Sequence, residues 1–300
     1  MLSLERLRAL HAVASYGSVS AAAEVLEVTT SAISQQIAKL ERELGQPLVE
    51  RNGRGVRLTD AADLLVEHAH KILSLVEGAE AELEAHREAV VGRLALTAFA
   101  TAARGLAPQA LRALAVQHPQ LRVELSEREP DEAIPLVARG DVDLAVAQDW
   151  FNSPLSLPGG LMKAPLLDDV ADVALPAEHP LAGRAVLQLE ELAGEPWIAW
   201  TRGSICHDWL LHTLRTQGLE PQVAHTAAEN PTQMALVAAG LGAAVIPRLG
   251  RDPLPKGVRM IPVRPTLSRH IYAVWRKDAA RRPSIRVTVE ALRATAQSPA

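Results

Sequence analysis

The sequence has a single cysteine, Cys206, which excludes a fold held together by internal disulfides. Its N-terminus lacks the basic stretch, the apolar run and the small-residue cleavage site of a secretory signal, so we expect a cytoplasmic protein. Apolar residues make up 48% of the chain, but no uninterrupted run approaches the roughly 20 residues that a membrane-spanning helix needs. The 300 residues suffice for two or more domains.

Motifs for catalysis and for cofactor or metal binding are also missing. The sequence has no glycine-rich phosphate loop, no Gly-x-Ser-x-Gly elbow and no zinc-type spacing. Ser204-Ile-Cys-His-Asp208 contains a nucleophile, a base and an acid, but adjacent residues cannot all point at one substrate atom. His68 and His70 fall on different faces of a helix without a nearby cysteine, which indicates surface residues. We therefore expect no enzyme, no cofactor and no metal.

Negative charge is concentrated in one stretch of the chain. The net charge is −4, but residues 1–58 carry 7 basic and 6 acidic side chains, residues 59–92 carry 2 and 8, and the remainder carries 22 and 21. Because the acidity lies mostly in the middle stretch, the N-terminal part is free to approach phosphate groups.

Three short helices are predicted in the N-terminal part. The first ends at Gly17, Ser18 caps a second, and Thr29 or Thr30 caps a third that ends at Gly45. The very short turn between the second and third helices is typical of a helix-turn-helix, in which the later helix enters the major groove of DNA.

The outer face of the third helix is polar. Its hydroxyl, amide and ammonium groups suit base edges and phosphate oxygens, although a solvated face is the alternative for any polar stripe. Gln35 is the strongest candidate for base readout, because an amide can pair with adenine through two hydrogen bonds. The candidate DNA-binding residues on this helix are Thr30, Ser31, Ser34, Gln35 and Lys39.

Residues 48–58 predict a basic β-hairpin directly after these helices. Two short strand-like runs flank Asn52-Gly53, a strong hairpin signal, and Arg51, Arg54 and Arg57 cluster there. A hairpin in this place is typical of a wing that contacts phosphate or the minor groove. Residues 1–58 are therefore interpreted as a winged helix-turn-helix domain.

Residues 1–58 resemble the DNA-binding domain of LysR-type transcriptional regulators. The motifs that carry the resemblance are Leu7-Arg-Ala-Leu-His-Ala-Val-Ala, Gly17-Ser-Val-Ser-Ala-Ala-Ala, Ser34-Gln-Gln-Ile-Ala-Lys-Leu-Glu41, Leu44-Gly, Pro47-Leu and Leu58-Thr59. The resemblance implies that Ser34, Gln35 and Lys39 face DNA. It also implies that Ser20 lies near phosphate and that Arg51 and Arg54 belong to the wing. Thr30 and Gln35 depart from the proline and the basic residue common in the family, so no operator sequence is implied.

A heptad seam over about three and a half heptads predicts one long helix in the acidic stretch, starting at Thr59-Asp60 and reaching His86. The seam residues are Leu58, Ala62, Leu65, Ala69, Ile72, Val76, Ala79 and Leu83. Such a helix pairs with a partner chain, and in the resembling family the linker helix dimerises the protein. We expect residues 59–91 to be this linker and hinge. The expected partners are double-stranded DNA, a second copy in a homodimer or homotetramer, and RNA polymerase.

From Arg93 onward, short apolar runs alternate with helical stretches, which predicts an α/β domain with a parallel sheet. The predicted elements include a helix over 131–139 and a strand over 169–175. Two sets of βα units suggest two lobes: lobe I at 92–163 and 268–300, and lobe II at 164–267. Arg139–Val146 and Val237–Pro247 resemble the two-lobed, periplasmic-binding-protein-like effector domain of the LysR family. The expected fold class is therefore an α/β multidomain protein with a winged helix-turn-helix, a long linker helix and an effector domain at 92–300.

The cleft between the lobes is the expected effector site, because open α/β sheets bind ligands beyond the carboxyl ends of their strands. The polar residues expected there are Thr101, Glu127, Glu129, Gln148, Thr201, Ser204, Glu229 and Asn230. Thr101 and Ser204 lie near helix starts, which favours a carboxylate-bearing metabolite. The three glutamates could instead favour a cation or an amino-bearing ligand. For each residue singly, a solvated loop side chain is the alternative.

The order of wing, linker helix and two-lobed domain predicts a ligand-responsive transcriptional regulator. Effector binding between the lobes would change how the subunits pack, and the linker would pass this change to the DNA contacts. A solute-binding protein is the alternative that the C-terminal domain alone supports equally well. The basic wing and the dimerising helix argue against it.

Overall fold

The computed structural model describes residues 2–26, 28–52, 55–86 and 90–297. They form two units. The first comprises the described residues up to 86 together with Asp278–Pro283, and the second comprises Val90–Lys277 and the residues from Ser284 onward.

The first unit contains the three predicted helices, the hairpin and the long helix. Its elements are α1 (Leu4–Tyr16), α2 (Val19–Val25), α3 (Thr30–Leu44), β1 (Val49–Asn52), β2 (Gly55–Leu58) and α4 (Asp60–His86). Ser18 Oγ accepts a hydrogen bond from Ala21 N, and Thr29 Oγ1 accepts one from Ala32 N. Thr29 is thus the cap of α3, and the predicted start of that helix is confirmed.

Small and β-branched side chains let the helices of this unit approach closely. Ala22 of α2 is completely buried and packs in one cluster with Val13 of α1 and with Ile33 and Ile37 of α3. The antiparallel pairing of β1 with β2 closes the hairpin, with Val49 opposite Leu58. These contacts fix the orientation of α3 within the unit, so its polar face stays outward.

Part of the predicted seam of α4 is buried against other elements of the same chain. Ala62 and Ala69 are completely buried, and Ala62 clusters with Leu10, Leu40 and Leu48. The expectation that the whole seam faces a partner chain is therefore wrong for its first half, because α1 packs against α4 there.

His70 is an exposed residue of α4, as the sequence indicated. Its ring also stacks on that of His11 in α1, with 5.7 Å between the ring centroids.

The second unit is built on a seven-stranded mixed sheet. The strands of the unit are β3 (Gly92–Ala98), β4 (Leu121–Glu127), β5 (Leu144–Trp150), β6 (Leu161–Pro176), β7 (Leu187–Gln188), β8 (Pro196–Ala199), β9 (Gln222–Thr226), β10 (Ala244–Pro247), β11 (Val258–Ile261), β12 (Val263–Arg264) and β13 (Leu267–Arg276). The helices are α5 (Ala100–Gly105), α6 (Ala107–Gln117), α7 (Pro130–Arg139), α8 (Ile205–Thr216), α9 (Asn230–Ala238) and α10 (Pro283–Gln297). None of the helices in the described part of the chain has the length and apolarity to cross a membrane.

The predicted parallel sheet is only partly right. The strand order of the main sheet is β10-β6-β13-β5-β3-β4, with β11 also paired to β6. β3 pairs in parallel with β4 and β5, whereas β13 runs antiparallel to both β5 and β6. The long strands β6 and β13 make this a mixed sheet, where a parallel sheet was expected. A small parallel pair, β8 and β9, accompanies it.

Tryptophans hold α8 against the end of β5. The rings of Trp150 and Trp209 are stacked, with 3.4 Å between their centroids, and Trp209 Nε1 donates a hydrogen bond of 2.7 Å to Asn152 Oδ1. Both rings are buried. This packing places the start of α8, with Ser204 and Cys206, beside the carboxyl end of β5.

Candidate functional site

The polar face of α3 is exposed as predicted. Thr30, Ser31, Ser34, Gln35 and Lys39 are all exposed, and so is Ser20 of α2. Ser34 Oγ donates a hydrogen bond of 2.9 Å to Thr30 O, so this hydroxyl is left as an acceptor toward solvent. The predicted wing residue Arg54 and the side chain of Arg51 lie outside the described residues.

Glu41 connects α3 to the hairpin. Its Oε1 accepts hydrogen bonds from Leu48 N at 2.8 Å and Val49 N at 3.2 Å. The carboxylate therefore sets where β1 leaves the helix-turn-helix. In the sequence Glu41 is recognisable only as the end of the Ser34–Glu41 motif, because its partners are backbone groups that no residue pattern reveals.

A cavity of about 500 Å³ lies in the second unit, and all eight predicted effector residues line it. Phe99, Arg104, Trp200, Cys206 and Arg269 also line it and were not predicted as contacts. Two predictions of local structure need correction. Thr101 is the second residue of the short helix α5, near a helix start as expected but within the helix and not directly after the strand. Gln148 lies within β5 with its neighbours buried, although it was expected just after that strand.

The elements around the cavity bring several helix starts together. Glu129 directly precedes α7, Ser204 precedes α8 and Glu229 precedes α9, and of these three side chains only Ser204 makes a capping hydrogen bond. Ser204 Oγ accepts a hydrogen bond of 3.2 Å from His207 N. The first backbone N–H groups of a helix have no partner within the helix, so these starts supply partial positive charge to the cavity.

Arg269 of β13 forms the buried floor of the cavity. Its guanidinium donates to Asp169 Oδ2 through Nε (2.9 Å) and Nη2 (2.7 Å), to Thr101 Oγ1 through Nη2 (2.9 Å), and to Gln148 Oε1 through Nη1. Arg269 is 2% exposed and Asp169 5%. Because both charges are buried and hydrogen bonded, this network fixes Thr101 and Gln148 in place.

Two titratable groups of the cavity have shifted pKa values. The partial burial of Glu129, reinforced by the nearby negative charge of Asp131, raises its carboxyl pKa to about 7. The side chain still reaches solvent inside the cavity. Burial raises the pKa of the Cys206 thiol to about 11, and Glu129 adds to the effect.

Both units match known protein-family models. Residues 4–63 match the model described as bacterial regulatory helix-turn-helix protein, lysR family. Residues 87–297 match the model described as LysR substrate binding domain.

Curated relatives and a solved structure extend over most of the chain. The HTH-type transcriptional regulator CysL of Bacillus subtilis is 28% identical over 81% of this chain and 79% of its own. The probable hydrogen peroxide-inducible genes activator of Mycobacterium avium is 30% identical over 81% of this chain and 76% of its own. A full-length OxyR variant from Pseudomonas aeruginosa shares the fold, with a TM-score of 0.75 and 24% identity over 98% of this chain and 95% of that one.

Proposed function

The chain is a member of the LysR family of transcriptional regulators, and we propose that it binds operator DNA as a homodimer and changes its DNA contacts when a small molecule fills the cavity. The observation that carries the proposal is the pairing, in one chain, of an exposed polar face on α3 with a separate ligand-sized cavity lined by eight convergent polar residues. Pockets of about 300–1,000 Å³ are typical of small-molecule sites.

In this proposal α3 is the recognition helix. Gln35 reads a base edge in the major groove, and Lys39 together with Ser20 contacts phosphate. Arg51, Arg54 and the exposed Arg57 provide the wing contacts. Thr30, Ser31 and Ser34 complete the contact surface, with the hydroxyl oxygen of Ser34 accepting from a base or from water.

The proposed dimer uses an apolar stripe of α4. It lies along the second half of the predicted seam, where Leu75 is 75% exposed and Leu83 66% exposed. The spacings of three and four residues from Ile72 through Leu75 and Ala79 to Leu83 place these side chains along one side of the helix. Exposed leucines of this kind are stabilised when they pack against a second copy of the helix. A two-fold dimer would present two copies of α3 to a pseudo-palindromic operator. Association into a homotetramer and contact with RNA polymerase are further parts of the proposal.

We propose that the cavity binds its ligand without converting it and that the protein acts in the cytoplasm, where the DNA is. The names of the relatives, which describe regulators, support this view. Within the Ser204-to-Asp208 segment, Ser204 Oγ is engaged by the backbone of α8 and His207 Nδ1 lies 3.0 Å from Asp208 Oδ1. The Ser204 oxygen therefore accepts from the backbone, and the imidazole is engaged by Asp208, so the two do not form a nucleophile–base pair.

Peroxide sensing is not supported by the chemistry of Cys206. Peroxide oxidises thiolates, and a thiol with a pKa of about 11 is almost entirely protonated near neutral pH. Cys206 is also the single cysteine of the sequence, so no intramolecular disulfide can store the oxidation. We therefore propose a reversibly bound metabolite as the signal.

Footprinting of the genomic operator, with and without a saturating effector, tests the function. We expect the effector to change the length of operator DNA that is protected or the bend of the bound DNA. Gln35→Ala should relax base preference at one position, whereas Lys39→Gln should weaken binding to all sequences and reduce the salt slope by about 1. An effector that saturates the cavity but leaves the footprint, affinity and DNA bend unchanged would refute the allosteric part. Parent-like operator binding by both variants would refute the DNA contacts.

A further inference from the structure

The floor of the cavity offers hydrogen-bond donors that the protein itself does not use. Asn230 is 5% exposed, and its Nδ2 has no partner within the described residues. Four N–H groups of Arg269 bind Asp169, Thr101 and Gln148, and the fifth has no acceptor among the residues that the structure describes. The Ser204 hydroxyl accepts from the backbone and keeps its own proton to donate. Buried donors of this kind favour a ligand with acceptor oxygens.

The accessible part of the same cavity carries the opposite charge. Glu127, Glu129 and Glu229 line it and are exposed, whereas its two arginines have acidic partners. Arg269 pairs with Asp169 at 2.7 Å, and Arg104 Nη1 lies 3.3 Å from Asp252 Oδ2. The acidic partners of both arginines leave the three glutamates without a dedicated cationic partner in the cavity. A ligand that is only an anion would meet this negative potential on entry.

We propose that the effector is an amino-acid-like zwitterion, whose carboxylate binds the donors of Asn230, Ser204 and Arg269 and whose ammonium group binds Glu129. This inference rests on the proposed function, since it names the ligand class of the same cavity. It resolves the opposing signals of the sequence, in which helix starts favoured a carboxylate and the glutamates favoured an amine. The ammonium charge offsets the repulsion among the glutamates, and the carboxylate meets the helix start of α8.

Glu129 is the glutamate assigned to the ammonium group, because it lines the cavity at the start of α7 and is close enough to the buried Arg269 and Cys206 for electrostatic interaction with both. A positive ligand group favours the ionised carboxylate, so binding should be accompanied by loss of a proton from Glu129 near pH 7. The other charged groups facing Glu129 are Asp131, Glu127 and Glu132.

Thermal-shift measurements on the full-length protein test the proposal. The probes are the standard protein amino acids with β-alanine, 4-aminobutanoate and ornithine, each at millimolar concentration. Every hit is compared with two matched compounds, the acid lacking the amino group and the amine lacking the carboxylate. We expect at least one zwitterion to raise the Tm and both truncated compounds to fail. The substitution Glu129→Gln should raise the Kd of that zwitterion about tenfold or more.

Two further variants separate binding from folding. Glu132→Gln is the control, because it removes a neighbouring charge of α7 that does not line the cavity, and we expect the Kd to change less than about twofold. Asn230→Asp keeps the size of the side chain and suits a helix start, but it exchanges the donor for a negative oxygen, so carboxylate binding should be lost.

The outcomes distinguish the ligand class from the function. A carboxylic acid that binds as tightly as its amino counterpart, or an unchanged affinity in Glu129→Gln, overturns the zwitterion. If that acid also changes the operator footprint, the ligand-responsive function stands. An absence of binding by every zwitterion overturns the proposal as well. The function fails separately if a compound bound in the cavity never alters the footprint.

Discussion

Glu129 shows how one carboxyl group links pH to stability. Its pKa is about 7 in the folded protein and 4.5 in the absence of the fold. At pH values between these two, the Glu129 carboxyl is mostly ionised in the unfolded chain and mostly protonated in the folded protein. Raising the pH through this range therefore lowers the stability of the fold. We predict that the gain in Tm of Glu129→Gln over the parent is larger at pH 8 than at pH 5, in ligand-free protein. An equal difference at both values would contradict it.

Among the side chains of the cavity, we expect substitution of Arg269, the partner of Asp169, to cause the largest loss of stability. Removing one partner of a buried ion pair leaves the other charge uncompensated and costs about 3–5 kcal/mol. We therefore expect Arg269→Met to lower the free energy of unfolding by about this amount. Urea unfolding followed by tryptophan fluorescence measures it, because all five tryptophans belong to the second unit.

The exposed pair of Arg215 and Glu220 is the matched control. These side chains are 56% and 80% exposed with 3.3 Å between Nη2 and Oε1, and such pairs contribute less than about 1 kcal/mol. If Arg269→Met is no more destabilising than Arg215→Ala, the buried network does not support the cavity.

The convergence of the eight predicted polar residues on one cavity could be predicted from the sequence, because polar residues near strand ends meet at one edge of a sheet. Arg269 could not, because its partner Asp169 lies one hundred positions away and no local pattern joins them. A charged residue at the start of an apolar strand was the available signal. Cys206 and Phe99 were missed for a related reason, since apolar cavity walls have the same composition as a core.

At the scale of elements, capped helices were easier to predict than long strands. α7 begins one residue before the predicted start and ends at the predicted Arg139, because a helix start and a following glycine bracket it. The strand expected over 169–175 extends instead over Leu161–Pro176. Lys163 and Asp168 interrupt its apolar pattern, and pairing along β13 stabilises the extra residues. Tertiary pairing of this kind is not encoded within the strand itself.

The same limit applies to α4, whose periodicity predicts the helix but not what each of its faces packs against.

We predict that Leu75→Glu weakens the dimer about tenfold or more, because a charge would be buried at the interface, while glutamate preserves helix propensity. Analytical ultracentrifugation of the full chain measures the dissociation constant. Leu254→Glu is the control, since Leu254 is an exposed leucine (49%) of the second unit. Parent-like association of Leu75→Glu would exclude this face.

At the scale of the whole molecule, the chain passes between its two units three times. The first passage lies between residues 86 and 90, and the other two flank the segment Asp278–Pro283. This segment packs with the first unit although it follows β13 and ends at the first residue of α10. Ala279 of this segment is 1% exposed, and Arg281 pairs with Glu82 of α4. A rearrangement of β13 or α10 on ligand binding would therefore reach α4 directly through this segment.

This connection predicts a variant that uncouples the two functions. Ala279→Glu places a charge in a buried contact of the segment and should detach it from the first unit. We expect the affinities for effector and for operator, measured separately, to stay within about twofold of the parent, because neither the cavity nor α3 is altered. The effector-dependent change in the operator footprint should be lost. Arg281→Ala should keep it, because an exposed ion pair contributes little. A full footprint change in Ala279→Glu would mean that the connection near residue 89 alone transmits the signal.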